Sequence, residues 1–166
     1  MDAREIVRKL GLEPLSGEGG YFLETYRSKL RIPGGAGAAV EAGGRPLATA
    51  IYYLLTPETF SAIHRLASDE IYHFYLGDPV EMLLLGPDAS SDTIILGPNI
   101  LEDMTLQTIV PAGVWQGSRL VPGGEFALMG TTMAPGFDPS DFELGGRAEL
   151  AGLYPGARDL IARLTR

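Results

Sequence analysis

The 166-residue chain predicts an all-β fold, a double-sheet barrel or sandwich with a short helix at each end. Three observations carry that prediction. Turn signals built from glycine and proline recur about every ten residues between short apolar runs. The composition combines 22 glycines and 12 prolines with a 45% apolar share; many short strands between turns produce that mixture and a helical bundle does not. The runs themselves are β-branched and aromatic, with polar and apolar residues alternating as side chains do on the two faces of a strand. The length is that of a single domain, 1–166, enough to bury roughly 70% of the unfolded surface.

The elements follow in order. Residues 2–10 predict a helix: Asp2 and Glu5 have capping-box spacing, Ala3, Ile6, Val7 and Leu10 form one apolar stripe, and Gly11 is a suitable stop. Residues 15–28 turn on Gly19-Gly20 and enter a strand of aromatics and threonine. Residues 33–44, PGGAGAAVEAGG, read as a surface loop. Residues 46–56 read as an apolar strand, broken at Thr56-Pro57-Glu58. Further strands are expected at 80–85, 93–96, 106–110, 114–121 and 125–133, each closed by a Gly/Pro turn. Residues 138–146 read as a loop over a sheet edge, and Leu160, Ile161 and Leu164 mark a closing helix over 157–165.

Between these lies the stretch most informative about chemistry, residues 60–77, FSAIHRLASDEIYHFYLG, which holds both histidines of the chain. A strand over 70–76 puts Glu70, Tyr72, Phe74 and Leu76 on one face and Ile71, His73 and Tyr75 on the other. Ala62, His64 and Leu66 share a face of the preceding strand, with Ala67-Ser68-Asp69 as the turn. His64 and Glu70 are therefore expected to converge on one pocket wall from two adjacent strands. His73 has the wrong parity to join them unless the strand bulges. A buried carboxylate needs a partner or solvent, and His64 or Arg65 is within reach of Glu70 in sequence.

Composition excludes several classes. With no cysteine, there can be no disulfide, thiolate zinc site, iron–sulfur cluster or cysteine nucleophile. The net charge is −8, from 21 acids against 13 bases, which disfavours nucleic acid or an anionic membrane as partner. The first residues lack the apolar core of a secretory signal and no run approaches the roughly 18 apolar residues of a membrane span, so a cytoplasmic protein is expected. Ser61 and Ser68 have no nucleophile-elbow glycines around them, which argues against a serine hydrolase.

The segments GEGGYFLETYRS, TAIYYLLTPETFSAIHRLASDEIYHFYLGDPVEMLLL, VPAGVWQGSRL and APGFDPSDFELGGRAEL resemble the cupin superfamily, and more narrowly its small Cupin_5 family. The first cupin motif places two histidines one residue apart, then a glutamate and a glycine; here His64, Leu66, Glu70 and Gly77 stand at those positions. The second runs proline, any residue, glycine, then a histidine three positions on; here Pro111, Gly113 and Gln116 stand there. Two of the four usual metal-ligand positions survive, His64 and Glu70.

The resemblance implies a cupin-type double-sheet β-barrel (jelly roll) and a homodimer, with N-terminal strands joining the partner's sheet. It implies a small-molecule pocket, apolar-walled, with His64, Glu70, Tyr72, Phe74 and Gln116 as ligand-binding residues. The ligand class it suggests is a carbohydrate or nucleotide-sugar. Metal-independent epimerases of this fold use a histidine base beside a carboxylate and a tyrosine acid. By likeness of residue type, His64 would be the base, Asp69 or Glu70 its orienter and Tyr72 the proton donor. Arg65 and Arg119 are the candidate phosphate contacts. That reading requires no cofactor. The alternative is a metal-dependent cupin, a dioxygenase or isomerase, with a divalent metal on His64, Glu70 and Gln116 and waters completing the shell. A binding or storage module without chemistry is the third class.

Overall fold

The computed structural model describes residues 2–32 and 44–166; all but Gly44 of the loop expected at 33–44 lies outside them. The chain opens with helix α1 (Ala3–Leu10). The Asp2 side chain accepts from the Arg4 amide at 3.1 Å, and Gly11, at φ 67°, closes the helix in the left-handed region. Among the described residues thirteen strands follow: β1 (Glu13–Pro14), β2 (Tyr21–Arg27), β3 (Arg31–Ile32), β4 (Arg45–Pro46), β5 (Thr49–Leu55), β6 (Ser61–Arg65), β7 (Glu70–Gly77), β8 (Val80–Leu85), β9 (Ser91–Leu96), β10 (Gln107–Val110), β11 (Trp115–Leu120), β12 (Ala127–Met133) and β13 (Glu143–Leu144). Helices α2 (Arg147–Leu153) and α3 (Arg158–Arg163) end the chain.

The strands form two main antiparallel sheets. One has six strands in the order β1-β2-β5-β12-β7-β10, the other five in the order β13-β6-β11-β8-β9, and β3-β4 makes a separate ribbon. This is the mostly-β, jelly-roll-compatible architecture expected. Strand pairing brings segments far apart in sequence together, as in a Greek-key sandwich.

The alternation read from the sequence is visible in burial. Along β7, Glu70, Tyr72 and Phe74 are buried while Ile71, His73 and Tyr75 are half-buried or exposed; Leu76, expected on the Glu70 face, is turned by a bulge between it and Phe74 to the outer face, against Ile6 and Leu128. Between the sheets lies a core built from Tyr53, Leu55, Tyr72, Phe74, Met82 and Met129, among others. The outer faces are covered unequally. Helices α2 and α3 pack Leu150, Ile161 and Leu164 onto Ile63, Leu83 and Trp115 of the five-stranded sheet. Helix α1 covers part of the six-stranded sheet through Ile6, against Leu54 and Leu128. Covering on both sides is why Ala62, Ile63 and His64 of β6 are all buried, with no alternation.

Three expectations need correction. First, β6 and β7 are consecutive but not adjacent: residues 66–69 cross from one sheet to the other, so His64 and Glu70 approach from opposite walls. Second, the helix expected at 157–165 is α3, and a further helix that the sequence reading left out, α2, precedes it. Pro155 has no amide hydrogen and separates them. Third, the stretch 138–146 is more than a loop: β13 within it pairs with β6, Glu143 opposite Arg65 and Leu144 opposite His64. Among the described residues, no helix is long and apolar enough to cross a membrane.

Candidate functional site

A cavity of about 280 Å³ opens between the sheets at the His64 end of β6. Leu15, Phe22, Ile51, Met133, Phe137 and Phe142 supply an apolar wall; Glu18, His64, Glu70 and Thr131 supply a polar one. The sequence-derived pair, His64 and Glu70, thus does face a common space.

His64 comes from β6, where its backbone partner across the sheet is Gln116 of β11. Its Nδ1 lies 2.8 Å from the Ala62 carbonyl oxygen. A carbonyl can only accept, so Nδ1 carries the hydrogen and, in the neutral ring, Nε2 keeps its lone pair. The ring stacks on Phe142, centroids 5.1 Å apart. Nε2 stands 4.0 Å from Glu18 Oε2.

Glu70 comes from β7 on the opposite sheet. Its Oε2 accepts from Gln116 Nε2 at 2.8 Å, a bond that bridges the two sheets. Burial pushes the Glu70 carboxyl above its ordinary range; His64 pulls it down, Glu18 pushes it further up, and hydrogen bonds from Thr131 and Gln116 lower it without cancelling the rise. Gln116 Oε1 is buried and has no hydrogen-bond partner among the described residues.

The other expected site residues sit differently. Tyr72 and Phe74 share the face of Glu70 but belong to the core, behind the cavity rather than in its wall. Burial first, then the negative charges of Glu70 and Glu18, push the Tyr72 phenol well above its usual range, so it holds its proton firmly. Asp69 faces away: its Oδ1 accepts from the Ala112 amide at 2.8 Å, fastening the turn before β11. The group that orients His64 is the Ala62 carbonyl. Neither phosphate candidate lines the cavity: Arg65 pairs with Glu143 and lies over Trp115, and Arg119 pairs with Glu81.

The residue sequence reading missed is Glu18. It rides on the hairpin between β1 and β2, and Ser61 Oγ donates to its Oε1 at 2.6 Å. The hairpin is fixed at several points. The Ala62 amide donates to the Glu18 carbonyl at 2.9 Å, and the Tyr53 hydroxyl to the Gly19 carbonyl at 2.9 Å. Gly19 and Gly20 take φ 109° and 72°; a Cβ on Gly19 would collide with the Phe60 carbonyl, and one on Gly20 would lie 2.9 Å from the Tyr53 hydroxyl. The glycine pair was the visible signal, and it marks a close approach as well as a turn.

The donor set does not fit a resident metal. A first-row cation wants three or four strong donors. Leu66 brings none to the second histidine position, and Gln116 turns its amide nitrogen toward Glu70. Among the described residues, no three His, Asp or Glu side chains are grouped to hold an ion.

The comparisons bear on family and fold. The family model described as "Cupin superfamily (DUF985)", Cupin_5, matches residues 4–145. The chain is 34% identical over 146 residues to the Saccharomyces cerevisiae protein YML079W, covering 82% of this chain and 72% of that one. Among solved structures, protein SO0799 from Shewanella oneidensis superimposes with a TM-score of 0.87 at 30% identity, covering 100% of this chain and 98% of that one. A hypothetical protein from Leishmania major gives 0.88 at 30% identity, over 99% of each chain. With its two-sheet fold, the His64/Glu70/Gln116 cluster and a match over nearly its whole length, the chain belongs to the Cupin_5 (DUF985) family of the cupin superfamily.

Proposed function

We propose that the cavity binds a small organic molecule and that His64 moves a proton on it, chemistry of the isomerase or epimerase class. The observation that carries this is the bond from His64 Nδ1 to the Ala62 carbonyl. It fixes the tautomer and leaves Nε2 as a base at the polar end of an otherwise apolar pocket. His64 Nε2 takes the proton from a carbon next to a carbonyl. Glu18, 4.0 Å away, stabilises the imidazolium that results. Glu70, held by Gln116 and raised by burial, is the group suited to carry a proton toward the ligand oxygen. Tyr72 supports Glu70 from the core and takes no direct part.

The test is incorporation of solvent deuterium into a panel of small hydroxy-carbonyl compounds, followed by NMR. Exchange that depends on the protein and disappears in a folded His64→Asn variant is the expected result. No exchange with any of them removes the proton-transfer step. The same pocket used for binding alone is the second reading. The largely apolar wall favours it, and ligand-induced thermal stabilisation without exchange would identify it.

The homodimer implied by the family resemblance is part of the proposal. β1 pairs only with Tyr21 and Phe22, so the β2 edge from Leu23 onward has no strand partner on that side among the described residues. Light scattering should give twice the mass of the chain; a monomeric mass would remove the dimer.

A further inference from the structure

Apart from the hydroxyls of Ser16, Thr49 and Thr131, the polar end of the cavity is built of acceptors. Glu18 and Glu70 are carboxylates. The single N–H of a neutral His64 is committed to Ala62, so its other nitrogen accepts. Gln116 gives its amide hydrogen to Glu70 and keeps a buried carbonyl oxygen without a partner among the described residues, on the side chain that touches Glu70. Buried acceptors left unmatched are costly, so a ligand that belongs here brings donors.

Charge points the same way. No lysine or arginine lines the cavity among the described residues, and residues 33–43 contain neither. The nearby guanidiniums are occupied. Arg27 holds Glu24 through Nε at 2.9 Å, Arg45 is paired with Asp141, and Arg65 with Glu143. Arg166 reaches the Glu18 hairpin but donates to the backbone carbonyl, at 3.2 Å, rather than to the carboxylate. A nucleotide-sugar, with its phosphates, would meet carboxylates and no cation.

The rest of the wall is aromatic and aliphatic, and rings such as Phe22 and Phe142 suit a cation as well as an apolar body. An apolar cavity of about 150 Å³ accommodates benzene, so 280 Å³ has room for one ring and a short chain.

We propose that the ligand is a small organic ammonium compound, with its charged nitrogen between Glu18 and Glu70 and an apolar body against the Phe22–Phe142 side. This rests on the cavity being the ligand site and names the class of molecule it takes. Beside such a cation Glu70 would give up the proton it can otherwise carry, and each carboxylate would accept a charge-assisted hydrogen bond, the strong kind. An anionic ligand of the same size would be repelled.

The test uses three probes of nearly one shape: 2-phenylethylamine, 2-phenylethanol and phenylacetate, titrated calorimetrically into the full chain near neutral pH. The amine should bind at least tenfold more tightly than either other probe. Glu70→Gln and, separately, Glu18→Gln should each weaken the amine about tenfold and leave the alcohol within about twofold. Two carboxylate variants are used so that poor folding of one leaves the other to decide. Equal or tighter binding of the alcohol or of phenylacetate overturns the proposal, as does the absence of amine binding, or an amine affinity that neither variant changes. Failure here is distinct from failure of the proton-transfer reading. Tight alcohol binding that accompanies His64-dependent exchange would remove the ammonium class and keep the reaction. Amine selectivity without any exchange would do the reverse.

Discussion

The two histidines stand nine positions apart in sequence, and the fold treats them oppositely. His64 is buried at 1% exposure between the sheets; His73 is half-buried on the outer face of β7. His64 carries its hydrogen on Nδ1, held by a backbone carbonyl. His73 carries its own on Nε2: that atom donates to Thr132 Oγ1 at 3.3 Å, while Nδ1 accepts from the Gln107 amide at 3.0 Å. Both nitrogens of His73 are thus engaged within one sheet, and its ring stacks at 6.5 Å on exposed Tyr75. His64 keeps one nitrogen uncommitted beside a carboxylate. The same side chain is a cross-strand link in one place and a buried ring with one nitrogen left open in the other, and the difference lies in which neighbours satisfy it.

The largest expected effect comes from removing the proposed base. His64→Asn should lower deuterium exchange by at least about a hundredfold, the usual contribution of a positioned general base. Circular dichroism should show a folded protein. If exchange persists at the native rate, the contrast between the two histidines has no catalytic meaning.

Next is the hairpin that brings Glu18 to His64. Gly19→Ala demands a left-handed conformation from a residue with a Cβ, and that Cβ meets the Phe60 carbonyl. A loss of about 1–3 kcal/mol is expected in urea unfolding, with weaker ligand binding because Glu18 moves. Gly113→Ala is the control: φ is 80° there too, but nothing lies within 4 Å of the added carbon. It should cost less and leave binding unchanged.

This difference between glycines also shows what sequence could and could not supply. The period of two along Glu70–Tyr75 is local, so the inward set of Glu70, Tyr72 and Phe74 and the exclusion of His73 were readable from six letters; Leu76 was misplaced, because the bulge that turns it outward depends on the distant partner strand β12. Gln116 was found because its place in a motif survives even though the histidine does not. Glu18 was not, because its position depends on a hairpin whose anchors, Tyr53, Phe60 and Ala62, lie some 35 to 44 residues downstream. Phe142 likewise reaches His64 only through the pairing of β13 with β6. The order of strands in a sandwich is non-local, and so is any cavity formed between its sheets.

Glu70→Gln sharpens the comparison from the opposite sheet. A carboxyl raised in the folded state binds more protons native than unfolded across the interval between its two pKa values. Stability therefore falls as pH rises from the ordinary carboxylate range through the raised folded value, and is flat above. Glutamine removes that loss. The variant should melt higher than the native protein at about pH 8, by about 2–4 °C for each kcal/mol recovered, with the gap closing toward about pH 4. A gap independent of pH would mean that burial does not raise Glu70.

The smallest effect is expected on the outer face. His73→Asn loses two neutral hydrogen bonds and a ring contact, all beside solvent that replaces part of what is removed. Asparagine keeps a donor and an acceptor near Thr132 and Gln107. A cost below about 1 kcal/mol is expected, a shift of about 2–4 °C at most, with exchange and amine binding within twofold of native. If the proposed dimer uses this face, light scattering at low concentration will show a larger share of monomer in the variant while binding stays intact. Loss of ligand binding with the His64 side untouched would break the comparison outright. It would place the working surface on the aromatic outer face, where Tyr52, His73 and Tyr75 cluster over Gly130, and would leave His64 as a buried structural ring.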